Sequence, residues 1–192
     1  TLANGRSAMR DRRPQGLVAV LLLVAALGAP AYAAAGVDVP LPERAAAQVE
    51  GLHLLGAGHL NWFVFSVYDA ALYVTGTSYS PERPFALAIR YERNFSAAEL
   101  ARTSLKEMLK LNPDGHAHKA RWAQDLERAF PSVKSGDVLV GLCVPGQYTE
   151  FFFNGKPFSR VDDPSFGPAF FSIWLSPKTP VPELRKALLG DS

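Results

Sequence analysis

Between Asn61 and Tyr73 the chain is apolar or aromatic on both alternations, with Phe63, Phe65 and Val67 on one parity and Trp62, Val64 and Tyr68 on the other. Successive residues of a strand point to opposite faces, so a strand of this composition must be buried on both. That requirement rules out a two-layer arrangement with one wet sheet face at this point, and it predicts a central strand covered by further layers. Phe85, Leu87, Ile89 and Tyr91 then alternate with Ala86, Ala88, Arg90 and Glu92, the pattern of a second strand with one face towards the core.

Helical signals follow. Ser96 and Glu99 have capping-box spacing ahead of a helix carrying Leu100, Leu105, Met108 and Leu109 along one side, and Asn112-Pro113-Asp114-Gly115 ends it. A second helix is predicted from about Ala117 to Phe130, with Trp122, Leu126, Ala129 and Phe130 on one stripe and Arg121, Asp125 and Arg128 facing water. Period two returns in Val138–Cys143 and Thr149–Phe153, and Asn154-Gly155 predicts a type I′ turn into Lys156–Val161. Asp163, with Pro164 behind it, is expected to cap a last helix that buries Phe166, Phe170, Ile173 and Trp174. Strands, a helix pair, strands and helices describe an α+β domain, an antiparallel sheet with a helical layer. Val37 to Pro42 is expected to run extended over the surface.

The first 33 residues have the layout of a secretory signal peptide. Arg10, Arg12 and Arg13 precede the uncharged run Leu17 to Leu27, and Ala31-Tyr32-Ala33 follows the breakers Gly28 and Pro30. The apolar run is too short for a permanent membrane span. Cleavage is expected after Ala33, leaving a domain from 34 to 192, and residues 1–8, ahead of Met9, read as an upstream extension. The expected location is outside the cytoplasm, in a bacterial periplasm. The leader carries four arginines and one aspartate, so its loss takes the formal charge from +2 to −1. The basicity is then a targeting feature, and the domain gives no reason to expect nucleic acid as a partner. Cys143 is the single cysteine, so no intramolecular disulfide can form and the core must hold the fold. Cys143 itself lies in the strand-like run Val138–Cys143, where a small buried residue is expected rather than a nucleophile.

Three blocks carry a family resemblance. They are Leu55-Gly56-Ala57-Gly58, Val67-Tyr68-Asp69-Ala70-Ala71-Leu72-Tyr73, and the aromatic helix Phe170-Phe171-Ser172-Ile173-Trp174-Leu175 followed by Leu184-Arg185 and Leu188-Leu189-Gly190. In this order they resemble bacterial chalcone isomerase-like domains, from about Leu52 to Gly190. The resemblance implies an open-faced β-sandwich with a helical layer and a ligand cleft between the layers. It also implies where the chemistry of the plant enzymes would sit. Their arginine, two positions after Gly-Ala-Gly, falls on Leu60, their threonine on Phe63, and their tyrosine, lysine and asparagine on Leu100, Thr103 and Glu107. None of the five residues matches. Flavanone ring closure relies on a positioned hydroxyl and a cation to stabilise developing negative charge, and losing one such donor typically costs about 10²–10³ in rate. Cyclisation of chalcones by this chain is therefore not expected.

The resemblance further implies relatives that hold fatty acids or other apolar molecules without catalysis. The candidate ligand-binding residues are Phe63 and Phe65, for an apolar wall, Tyr68, Tyr73 and Tyr91, for hydroxyls, and Arg93, with Arg90 and Arg102 as the other nearby cations. No catalytic residue, metal ligand or cofactor site is assigned. His116 and His118 lack a neighbouring cysteine or carboxylate at ligand spacing, and Asp162-Asp163 fits helix capping better than paired acid catalysis. Three functions stay open at this point: a binding or accessory module for a small apolar molecule, an intramolecular lyase or isomerase rebuilt around Tyr68, Tyr91 and Arg93, and an envelope protein without a ligand. An open cleft, a tyrosine and cation converging on one point, or a filled cleft would separate them.

Overall fold

A computed structural model describes residues 37–62 and 65–191. The leader segment, its cleavage site and Phe63 lie outside these residues. Among the described residues no helix is long and apolar enough to cross a membrane.

The stretch from Asn61 to Tyr73 is not one strand. It straddles two, β1 (His53–Trp62) and β2 (Phe65–Val74), which pair antiparallel so that Trp62 lies opposite Phe65. The doubled apolar parity has two physical sources. β2 is covered on both faces, as its composition requires. In addition, Asn61 opposes Ser66 and Leu60 opposes Tyr68, which leaves Val67 as an extra residue in a bulge. Val67 and Tyr68 are consecutive and both join the main core. Beyond the bulge the core-facing parity is Tyr68, Ala70, Leu72 and Val74, the opposite of the one the Phe63–Phe65–Val67 pattern suggests.

Strands β3 (Phe85–Tyr91), β4 (Val138–Val144), β5 (Tyr148–Phe153) and β6 (Lys156–Val161) complete an antiparallel sheet whose spatial order follows the chain, β1 to β6. The β5–β6 turn uses Asn154 at φ 47° and Gly155 at φ 80°, the left-handed pair that a type I′ hairpin needs.

One sheet face presents Leu87, Ile89, Leu139 and Phe151 to helices. The other carries Ala71, Ala86, Ala88, Val140, Leu142 and Phe152, and it is covered by residues 37–49, including the short helix α1 (Glu43–Ala46). This corrects the expectation of a surface lead-in. Alanines on the sheet let the segment sit close, Val39 and Ala45 are buried against them, and the Tyr73 hydroxyl and Arg90 Nη1 donate to the carbonyls of Val39 (2.9 Å) and Asp38 (2.7 Å). Arg90 also donates through Nη2 to buried Asp69 at 2.6 Å, and His59 Nδ1 pairs with the other oxygen of that carboxylate. His59, Asp69 and Arg90 are cross-strand neighbours, so the three form one polar row on this face.

On the helical side, α2 (Ala97–Leu111) starts at the expected capping box. Ser96 Oγ accepts from the Glu99 amide and the Ser96 amide donates to Glu99 Oε2 at 2.9 Å, which holds the Glu99 carboxyl below its ordinary range. Its buried face is Leu100, Ala101, Ser104, Glu107 and Met108. The face is rotated from the predicted leucine stripe because Leu105 and Leu109 only flank the core.

A 3₁₀ segment (Pro113–His118) precedes α3 (Lys119–Ala129), whose start falls two residues after Ala117. Asp125 does not face water there. It is 8% exposed and bonded to Arg128 at 2.7 Å. Helix α4 (Phe166–Leu175) begins after Ser165, so Asp163 caps the turn ahead of it by accepting from the Ser165 amide at 2.9 Å, and it pairs with Arg121 at 3.1 Å. Helix α5 (Pro182–Leu189) ends at left-handed Gly190 and lies on β1.

Candidate ligand site

The sheet and the helical layer meet over a small cavity of about 30 Å³. Its floor is Leu87, Ile89 and Tyr91 of β3, Leu139 and Gly141 of β4, Phe151 of β5 and Tyr68 of β2. Its roof is Leu100 and Ser104 of α2 with Phe170, Phe171 and Trp174 of α4, and Phe130 closes one side. The floor follows from strand alternation, since Leu87, Ile89 and Tyr91 are one parity of β3. Gly141 leaves room for the roof: a Cβ there would stand 2.9 Å from the Phe171 ring. The roof is a packed aromatic cluster. Phe170 meets Trp174 edge to face at 5.3 Å between centroids, and Phe166 stacks on it at 5.6 Å. A cavity of about 30 Å³ has room for about two waters, whereas benzene occupies an engineered apolar cavity of about 150 Å³. The cleft is therefore closed in this structure, and any larger guest must part the two layers.

The polar groups of the cavity are hydroxyls. Trp174 Nε1 donates to Tyr68 Oη at 2.8 Å, which leaves the Tyr68 proton free to donate. The Tyr91 ring stands edge to face with Tyr68 at 6.3 Å. Burial pushes both phenols far above their ordinary range, and each tyrosine remains a neutral donor rather than a base. Ser104, 8% exposed, supplies the third hydroxyl.

Tyr68 and Tyr91 thus come together in the cleft, and Tyr73 and Arg93 do not line it. Tyr73 lies on the far side of the sheet, where its hydroxyl holds Val39. Arg93 is exposed just past the end of β3, with Nε donating to the Ser66 carbonyl at 3.3 Å, and it does not line the cavity. Arg90 is engaged on the opposite face and Arg102 is exposed on α2. Phe65 begins β2, before the bulge. The rebuilt lyase site of Tyr68, Tyr91 and Arg93 is therefore not assembled. Of the positions that correspond to the plant catalytic residues, Leu60 is core and Leu100 lines the roof. Sequence reasoning missed most of the lining. The core-facing parity of β3 and the inward stripe of α4 were available signals, but a cavity and a packed core share the same pattern.

A family model described as chalcone isomerase-like matches residues 33–190. The chain belongs to the chalcone isomerase-like family. Its fold is similar to the crystal structure of a fatty-acid binding protein from Arabidopsis thaliana, with a TM-score of 0.60 and 9% sequence identity, over 74% of this chain and 89% of that one. No curated protein matches the chain in sequence. At 9% identity the structural likeness concerns the fold.

Proposed function

We propose that this chain is an exported, bacterial-type member of the chalcone isomerase-like family that holds a small apolar ligand, of the fatty acyl class, without catalysing a reaction on it. The observation that carries this reading is the apolar cavity between sheet and helices, in a fold also used by a fatty-acid binding protein. The cleft offers neutral donors on an apolar wall and, among its described lining residues, no cation to stabilise a developing phenolate. The closed state is what favours the second reading, an envelope protein whose cleft is simply core.

Chain length separates the two. If a guest is held by buried area, each added methylene contributes about 0.8 kcal/mol, close to fourfold in affinity. Titration of the purified mature protein with saturated acyl compounds from eight to sixteen carbons should show that climb until the cleft is full. Affinity that ignores chain length, or no binding at any length, would leave the envelope reading in possession.

Export rests on the leader pattern of residues 1–33. Protein recovered from the exported fraction should begin at Ala34, and an intact mass that retains Leu17–Leu27 would reject the cleavage site.

A further inference from the structure

We propose that the cleft selects a neutral, oxygen-bearing head group on its apolar ligand, an alcohol, ester or other carbonyl, over a free carboxylate. This rests on the apolar-ligand reading above and adds the class of head group to it. Three hydroxyl-bearing residues, Tyr68, Tyr91 and Ser104, line the cavity, and none of the described residues lining it is basic. Tyr68 has its acceptor capacity engaged by Trp174 Nε1 and its proton available, so the cleft presents a donor to an incoming oxygen.

A carboxylate brought to this point would give up its hydration for neutral donors alone, and an ionised group is costly to bury without an opposite charge. Glu107, one turn beyond Ser104 on α2, is 1% exposed, does not line the cavity and is paired with Lys110 Nζ at 3.8 Å, so this stretch of helix turns no free base towards the ligand. A neutral oxygen needs no opposite charge, only the donors already present.

The test uses mature protein and displacement of the neutral fluorophore N-phenyl-1-naphthylamine at pH 8 by three twelve-carbon compounds: dodecan-1-ol, methyl dodecanoate and dodecanoate. The alcohol and the ester should displace the probe at concentrations at least about tenfold below dodecanoate. Tyr91→Phe and Ser104→Ala should each weaken the alcohol by about 2- to 10-fold, the range of one neutral hydrogen bond, while the affinity of the fluorophore itself stays the same. Dodecanoate binding as tightly as the alcohol would overturn the head-group inference and leave the apolar-ligand reading intact. Equal weakening of probe and alcohol in the variants would also overturn it, since the hydroxyls would then act through packing. Failure of all three compounds to displace the bound probe, or failure of the probe to bind, would remove the ligand-binding reading and this inference with it.

Discussion

Gly56→Val should lower the unfolding free energy by about 3–6 kcal/mol and release α5 from the sheet. A Cβ at Gly56 would stand 2.2 Å from the Ala187 carbonyl oxygen and 2.7 Å from that of Leu188. These are backbone atoms of α5, which cannot swing aside as a side chain can, so relief requires moving the helix. Moving it exposes Leu184 and Leu188, 4% and 0% exposed in the fold. Each contributes about 1.5–3 kcal/mol by burial, and the sum sets the expected loss. Gly58→Ala is the internal control. Its Cβ would meet the Ala187 Cβ at 2.8 Å, which moves only with the helix, and the Leu184 Cδ1 at 3.0 Å, which can shift, and with these milder overlaps a smaller cost of about 1–3 kcal/mol is expected. Urea unfolding of both variants decides it. A Gly56→Val protein within 1 kcal/mol of the parent would mean that α5 is not seated on β1 in solution.

The Gly56-Ala57-Gly58 block shows what could and could not be read in the sequence. As a motif it helped point to the family. Its structural reason, close approach by a helix more than 120 residues later in the chain, is a tertiary fact with no local trace. The same division runs through the fold. Local signals with a specific mechanism, the Ser96–Glu99 capping box and the Asn154-Gly155 turn, are found where the sequence placed them. The alternation of β3 was legible, yet its alanine parity was expected to be the uncovered side. Ala86 and Ala88 are small because residues 37–49 lie on them, and small residues read as weakly hydrophobic until the covering segment is seen.

The candidate site was less legible than the fold, for a reason that the bulge at Val67 makes concrete. One extra residue in β2 switches which parity faces the helices, so the alternation of Phe63, Phe65 and Val67 cannot be extended along β2 to tell which of Tyr68 and Tyr73 faces the cleft. Tyr68 and Tyr91 were reached as hydroxyls on core strands, and their meeting in one cleft follows from the β2–β3 register, which pairs them directly. Arg93 is only two residues beyond Tyr91, but β3 ends there, and strand alternation no longer carries its side chain to the cleft.

The same buried hydroxyls and the thiol give the fold an alkaline limit. Burial raises the Cys143 thiol from 9.0 to about 12 and raises the phenols of Tyr68 and Tyr91 well above 10.0. In the unfolded chain these groups lose protons at their ordinary values, so above those values the unfolded state binds fewer protons than the folded one and is favoured as pH rises. Their contribution is intact below about pH 9. It declines from pH 9 through the thiol and from pH 10 through the two phenols, at about 1.4 kcal/mol per group for each pH unit. At pH 11 the three together remove about 5–6 kcal/mol, comparable with the whole stability of many domains. Urea midpoints measured from pH 8 to 11 should therefore hold steady to about pH 9 and then fall with increasing slope. Cys143→Ala should flatten the segment between pH 9 and 10 and leave the steeper fall above it. In a direct alkaline titration, the phenolate absorbance of Tyr68 and Tyr91 should appear only with loss of the near-ultraviolet circular dichroism signal. A midpoint unchanged to pH 11, or ionisation of all five tyrosines of the mature chain from Ala34 onwards while the fold persists, would show that these hydroxyls are open to solvent and that the cleft is not closed as described.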